Sequence, residues 1–123
     1  MRAPKIKVLV AMVVLTAVLS CFIGELVLAQ GNEQVVKITA KKFVHSPKDF
    51  TLKKGVPVVL EFTSLDVMHG FNCPDLGIRS DILPGKVTTL RFTPQKVGTF
   101  PFHCDNFCGS GHETMTGTIT VAE

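Results

Sequence analysis

The stretch Phe100-Pro101-Phe102-His103-Cys104-Asp105-Asn106-Phe107-Cys108-Gly109-Ser110-Gly111-His112-Glu113-Thr114-Met115, followed by Thr118-Ile119-Thr120-Val121, decides the fold. Phe100, Phe102 and Cys104 share one parity, opposite Thr99, Pro101 and His103, as on a strand with one buried face. Thr118–Val121 is β-branched and reads as a closing strand. The segment between them is therefore a loop hung between two neighbouring strands, with both ends on rigid elements. That loop holds two thiols, an imidazole and a thioether within twelve residues. Such soft donors suit copper better than any hard cation. Glycines at 109 and 111 permit the bend that returns His112 toward the cysteines. A second imidazole, His69, lies upstream in Val67-Met68-His69-Gly70-Phe71.

Outward from the loop, the chain continues to read as strands. Val36, Ile38 and Ala40 alternate with Lys37 and Thr39. Phe50 and Leu52 lead to the polar turn Lys53-Lys54-Gly55. Val56–Phe62 is apolar and β-branched, with Pro57 near its start, where a missing donor is tolerated. A loop carrying His69 is expected next. Pro84-Gly85 is a turn in which proline presets φ and glycine accepts a positive one. Thr88, Leu90 and Phe92 then face one way and Thr89 and Arg91 the other, before a loop at 93–98. No segment after residue 29 has helical periodicity. Short strands with frequent turns give an all-β sandwich or small barrel.

The N-terminus has a different character. Arg2, Lys5 and Lys7 precede an apolar run from Val8, and Val27-Leu28-Ala29 offers a cleavage point before Gln30. Residues 1–29 are expected to be a signal peptide, with an uncleaved anchor through residues 8–29 as the alternative; lipidation at Cys21 is a weaker third reading. Each exports residues 30–123, to the periplasm or the outer face of the cytoplasmic membrane, as one domain. The chain has 13 basic and 10 acidic side chains, and residues 30–123 keep 10 and 9 of them, so no basic patch argues for nucleic acid. All nine Phe/Trp/Tyr residues are phenylalanine. Cys73, Cys104 and Cys108 remain in the exported part, an odd number that argues against a simple disulfide framework. Cys73 reads as a buried free thiol, with an accessory role near the site or a link between two chains as alternatives.

From the residues alone, the constellation leaves three readings open: copper, structural zinc on Cys104, Cys108, His112 and His69, or a redox disulfide between Cys104 and Cys108. His45 reads as a surface or capping residue beside a turn, so its loss is expected to leave a metal centre intact. His103 has the opposite parity to Cys104 and is expected to point away from the ligands. Met68 reads as packing.

The run Cys104-x3-Cys108-Gly109-x2-His112-x2-Met115 resembles the copper loop of the CuA-type cupredoxin domain, found in subunit II of haem–copper oxidases and in nitrous oxide reductase. Asp66-Val67-Met68-His69-Gly70-Phe71, Leu76-Gly77-Ile78 and Asp81-Ile82-Leu83-Pro84-Gly85 are similar to the segments that accompany it in subunit II. The resemblance covers residues 66–121. It implies a cupredoxin-like Greek-key β-sandwich and a centre of two copper ions. In it Cys104 and Cys108 bridge the metals, His69 and His112 each cap one, and Met115 and the backbone carbonyl of Asn106 are weak ligands. It also implies single-electron transfer with a redox partner, such as a c-type cytochrome or a terminal oxidase or reductase. The chain departs from the subunit II pattern in three ways. Lys41-Lys42-Phe43-Val44 stands where that family carries a tryptophan-containing stretch. Asn106 replaces a glutamate that reaches a magnesium site. No two-helix hairpin precedes the domain, which reads as free-standing. These departures motivate a second functional reading, a periplasmic copper chaperone or carrier supplying an oxidase or another cuproenzyme. A catalytic role is not expected, since every copper position is filled by a protein ligand and a catalytic metal needs an open one.

Overall fold

The computed structural model describes residues 32–123. The expected signal or anchor at residues 1–29 lies outside them. Among the described residues, no helix is long and apolar enough to cross a membrane.

Among the described residues, nine strands form two sheets. In chain order they are β1 (Gln34–Lys41), β2 (Val44–Ser46), β3 (Asp49–Lys53), β4 (Val58–Ser64), β5 (His69–Cys73), β6 (Ile78–Ile82), β7 (Thr88–Phe92), β8 (Gly98–His103) and β9 (Thr116–Ala122). The order is β2-β1-β4-β7 in one sheet and β3-β9-β8-β5-β6 in the other. The chain crosses repeatedly between the sheets, and β1–β4 and β3–β9 pair parallel while the other pairs are antiparallel. This is the all-β sandwich expected from the strand pattern.

Alternation places the core. Ile38 and Ala40 from β1, Leu60 and Phe62 from β4, Phe71 from β5, Phe100 and Phe102 from β8, and Ile119 and Val121 from β9 are buried between the sheets. Phe71 is the hub, with ring centroids 4.9 Å from Phe62 and 4.7 Å from Phe102. Stacked aromatics at such distances add stabilisation beyond their buried area. The turn at Pro84-Gly85 forms as expected, with Gly85 at φ 69°.

Two expectations fail here. The segment from His69 is a strand, not a loop. His69, Gly70, Phe71 and Cys73 are all buried, because β5 lies inside the five-stranded sheet between β8 and β6. A strand buried on both faces shows no period-two alternation. His45 is also not a surface residue. It sits in three-residue β2, opposite Ala40, with its side chain fully buried.

Candidate metal centre

β8 ends at His103, and the chain leaves the sheet at Cys104 and re-enters as β9 at Thr116. The two ends of this loop are tied by Cys104 N–H donating to the Met115 carbonyl at 3.0 Å. Inside it, His112 N–H donates to Gly109 O at 3.2 Å, Thr114 N–H to Gly111 O at 3.1 Å and Met115 N–H to His112 O at 3.2 Å. The Phe43 ring covers the loop from outside. A Cβ on Gly111 would lie 2.4 Å from that ring, and one on Gly109 would lie 3.0 Å from it. Gly109, at φ 142°, serves the bend and close approach, whereas Gly111, at φ −96°, serves close approach alone.

The loop and β5 bring the predicted donors together. One ligand atom each from His69, Cys104 and Cys108 lies within 4.8 Å of the others, and all three residues are buried. Cys104 and Cys108 are free thiols with sulfurs 3.9 Å apart. On the Cys104 side, the Asn106 carbonyl oxygen is 3.2 Å from the sulfur. On the Cys108 side, His112 Nδ1 is 3.6 Å and Met115 Sδ 3.9 Å from the sulfur. His112 is half-buried and Met115 fully buried. His112 thus stands beside Cys108, with the exposed Phe107 ring against it at 5.7 Å between centroids.

The His69 ring is fixed in orientation. Its Nε2 lies 2.7 Å from Asp66 Oδ1, which fixes Nε2 as the protonated nitrogen. That leaves Nδ1 as a bare lone pair, buried and without a hydrogen-bond partner. Buried polar atoms are nearly always satisfied, so an orphaned lone pair beside two thiols fits a metal ligand. Asp66 is itself anchored by the Lys42 and Val67 amides at 2.7 and 2.6 Å. The Lys42 amide above all holds its carboxyl well below the usual carboxylate range; burial opposes this, and the His69 and Val67 contacts add to the lowering. Burial, and secondarily the neighbouring Cys104, push the Cys108 thiol up to about 11. A cation that binds thiolates would reverse that preference.

Beyond the sequence-predicted donors, four residues shape the site. Asp66 orients His69. Arg79 on β6 holds Asp105, the residue after Cys104, with Nε–Oδ2 at 2.6 Å and Nη2–Oδ1 at 3.0 Å. Gly70 donates its N–H to the Cys104 sulfur at 3.3 Å. His45 bonds to the Gly70 carbonyl at 3.0 Å. Only the carboxylate three residues before His69 left a signal in sequence, since metal-binding histidines commonly donate their other ring N–H to a carboxylate. The other links join segments far apart in the chain. His103 ends β8 half-buried, and its neighbour Cys104 takes the inward face, as parity predicted. Cys73 is buried, and burial raises its thiol pKa. Met68 is 39% exposed, so its expected packing role is not what the fold gives it.

Residues 8–121 match the cupredoxin-like domain family. Two forms of cytochrome c oxidase subunit 2 from Thermus thermophilus are 37% identical over 92 residues, covering 75% of this chain and 68% and 55% of theirs. Nitrous-oxide reductase from Pseudomonas fluorescens is 30% identical over 99 residues, covering 77% of this chain but only 16% of the reductase. In fold, the chain is similar to the periplasmic domain of cytochrome oxidase subunit II from Bradyrhizobium japonicum. That likeness has a TM-score of 0.69 at 22% identity, over 76% of this chain and 86% of that one. The His/Cys/Cys cluster and the family together support copper as the metal. By sequence match and by fold, the chain belongs to the cupredoxin-like domain family and is homologous to cytochrome c oxidase subunit 2 and nitrous-oxide reductase.

Proposed function

We propose that this chain carries a dinuclear, CuA-type copper centre and passes single electrons between redox partners on the outer side of the cytoplasmic membrane. The observation that carries the reading is the paired arrangement of donors around two sulfurs. Cys104 and Cys108 stand 3.9 Å apart. Each sulfur has its own weak donor, the Asn106 carbonyl on one side and Met115 on the other. Two imidazoles attend the pair, His112 beside Cys108 and His69 with a ligand atom within 4.8 Å of both sulfurs. A single tetrahedral zinc would use both sulfurs and both imidazoles and leave Met115 and Asn106 without a part. Copper with thiolate, imidazole and thioether ligands accounts for all six.

Two bound coppers would supply reversible one-electron exchange. The protein supplies rigidity. β8 and β9 hold both ends of the loop, Asp66 fixes the His69 ring, and Phe43 closes the loop from outside. Restricting ligand movement lowers the reorganisation that accompanies each electron. The half-buried His112 and exposed Phe107 bring one end of the centre near the surface, where a partner such as a c-type cytochrome would dock. The homology to oxidase and nitrous-oxide reductase supports a place beside such enzymes, and the N-terminal sequence supports export.

The carrier reading requires ready exchange of copper with an acceptor. Burial of His69, Cys104, Cys108 and Met115 favours a metal retained through redox cycles. Copper loading of the purified protein, with metal analysis and electron paramagnetic resonance, tests the proposal. Two coppers per chain with hyperfine splitting shared between both nuclei is the expected result. One copper with a localised signal overturns it, and rapid loss of copper to a cuprous chelator would favour the carrier.

A further inference from the structure

We propose that His45 is a positioning residue for the metal centre: from β2 it holds Gly70, and through Gly70 the amide that hydrogen-bonds the Cys104 sulfur. The link to copper rests on the function proposed above; the contact itself needs no metal.

The argument begins with an interrupted ladder. β5 and β8 are antiparallel and share one register pair, Asn72↔His103. Continuing that register places Gly70 opposite Asp105, where β8 has ended and the ligand loop has begun. A ladder that stops in the interior leaves backbone groups that must find other partners. Side chains provide them at Gly70. Its N–H donates to Cys104 Sγ at 3.3 Å, and its carbonyl lies 3.0 Å from His45 Nε2. A Cβ at position 70 would stand 2.0 Å from Asp105 Oδ1, so the two segments approach as closely as glycine allows. Gly70 is thus gripped by His45 at its carbonyl, by the sulfur at its amide and by Asp105 at its α-carbon.

His45 is built for this contact. Its ring is fully buried and meets Phe71 edge-on at 6.1 Å and 86°, and Phe102 at 5.3 Å and 79°. Phe71 follows Gly70, and Phe102 lies two residues before Cys104. One ring therefore wedges against the neighbours of both partners in the N–H···S bond. Packing alone does not account for an imidazole here. A carbonyl accepts only from a protonated nitrogen, so Nε2 carries the proton and Nδ1 is bare. Nδ1 is buried and has no partner. An orphaned polar atom is a cost that a phenyl ring in the same slot would avoid. What the imidazole adds over phenyl is the donor to Gly70. Burial lowers its pKa and keeps the ring neutral, which matches the single-donor role. Hydrogen bonding at a copper thiolate tunes its potential, so a residue that fixes the donor amide reaches the metal without touching it.

The test uses nitrogen-15 resonance on the metal-free protein and on two variants, H45F and H45Q. In the wild type, His45 is expected as the Nε2–H tautomer with a slowly exchanging ring proton. In H45F, the Gly70 amide should exchange at least tenfold faster while the Ile119 amide in β9 is unchanged. H45Q, which restores a side-chain N–H, should recover most of the protection. After copper loading, H45F should lower the reduction potential and move the sulfur-to-copper absorption, and H45Q should move both back. An Nδ1–H tautomer in the wild type overturns the proposal. So does an H45F protein whose Gly70 protection is unchanged, or one whose exchange rises uniformly through both sheets. If H45F does not fold, the wild-type tautomer and H45Q decide. A Gly70 response without a two-copper spectrum would reject the dinuclear reading and leave the positioning role standing.

Discussion

Gly70 shows how narrowly a single position is drawn around the metal loop. An added methyl would collide with the Asp105 carboxylate at 2.0 Å and press on the Asn106 amide at 3.2 Å. Arg79 holds that carboxylate through two contacts, so it is not free to swing aside. Gly70→Ala should cost about 1–3 kcal/mol, the usual penalty for overpacking, and displace the loop start. A lower urea midpoint together with weaker copper uptake checks this. Cys104→Ser and Cys108→Ser should each abolish the shared-copper spectrum, because each removes one of the two sulfurs proposed to bridge the metals. A shared spectrum in either variant would contradict bridging. Met115 is a core residue and, in the proposed centre, a weak donor; Met115→Leu separates the two roles. The near-isosteric swap should cost less than about 1.5 kcal/mol, keep two coppers and shift the potential. At this scale the proposed donors were legible as candidates, because soft side chains within one loop stand out by type and spacing. His45 was not: an isolated polar residue between turns gives no sign that its strand points inward.

Among the elements, β5 and β6 do more than frame the core. β5 delivers His69 as its first residue, and β6 sends Arg79 across to the ligand loop while also pairing it with Asp81 at 2.6 Å. The Arg79 side chain is 45% exposed, so its contribution to global stability is modest, about 1 kcal/mol or less. Its greater effect is local order. Arg79→Gln should leave the thermal midpoint within a few degrees but speed amide exchange at residues 105–108, as hydrogen-exchange mass spectrometry would show. Alternation made β1, β7, β8 and β9 readable, because each has one face toward the core. β5 was unreadable for the opposite reason, since nearly all of His69-Gly70-Phe71-Asn72-Cys73 is buried and no polar face marks the period. The ion pair from Arg79 to Asp105 spans separate segments, and pairing across space leaves no mark in local sequence.

For the molecule as a whole, the buried imidazole of His45 ties stability to pH. Burial lowers its folded-state pKa below the ordinary value, so the unfolded chain takes up the proton first. Stability is then complete above about pH 6.5, the unfolded value, and declines as pH falls below it. The loss for this one proton is at most about 1.4 kcal/mol per pH unit. Urea midpoints at pH 7.5 and pH 5 should differ less in His45→Phe than in the wild type; an unchanged difference would place the acid sensitivity elsewhere. The parallel pairing of β3 with β9 has a further consequence, in the order of folding. Asp49 lies opposite Thr118, so the five-stranded sheet is completed only when the last strand reaches the third. Closures over such sequence separations are slow compared with local hairpins. The same last strand anchors the far end of the ligand loop, through the Cys104–Met115 backbone bond. Until β9 arrives, the loop that carries the two thiols is anchored at one end only. Metal capture by the assembled site would then come late in the life of each chain, after the sheet has closed.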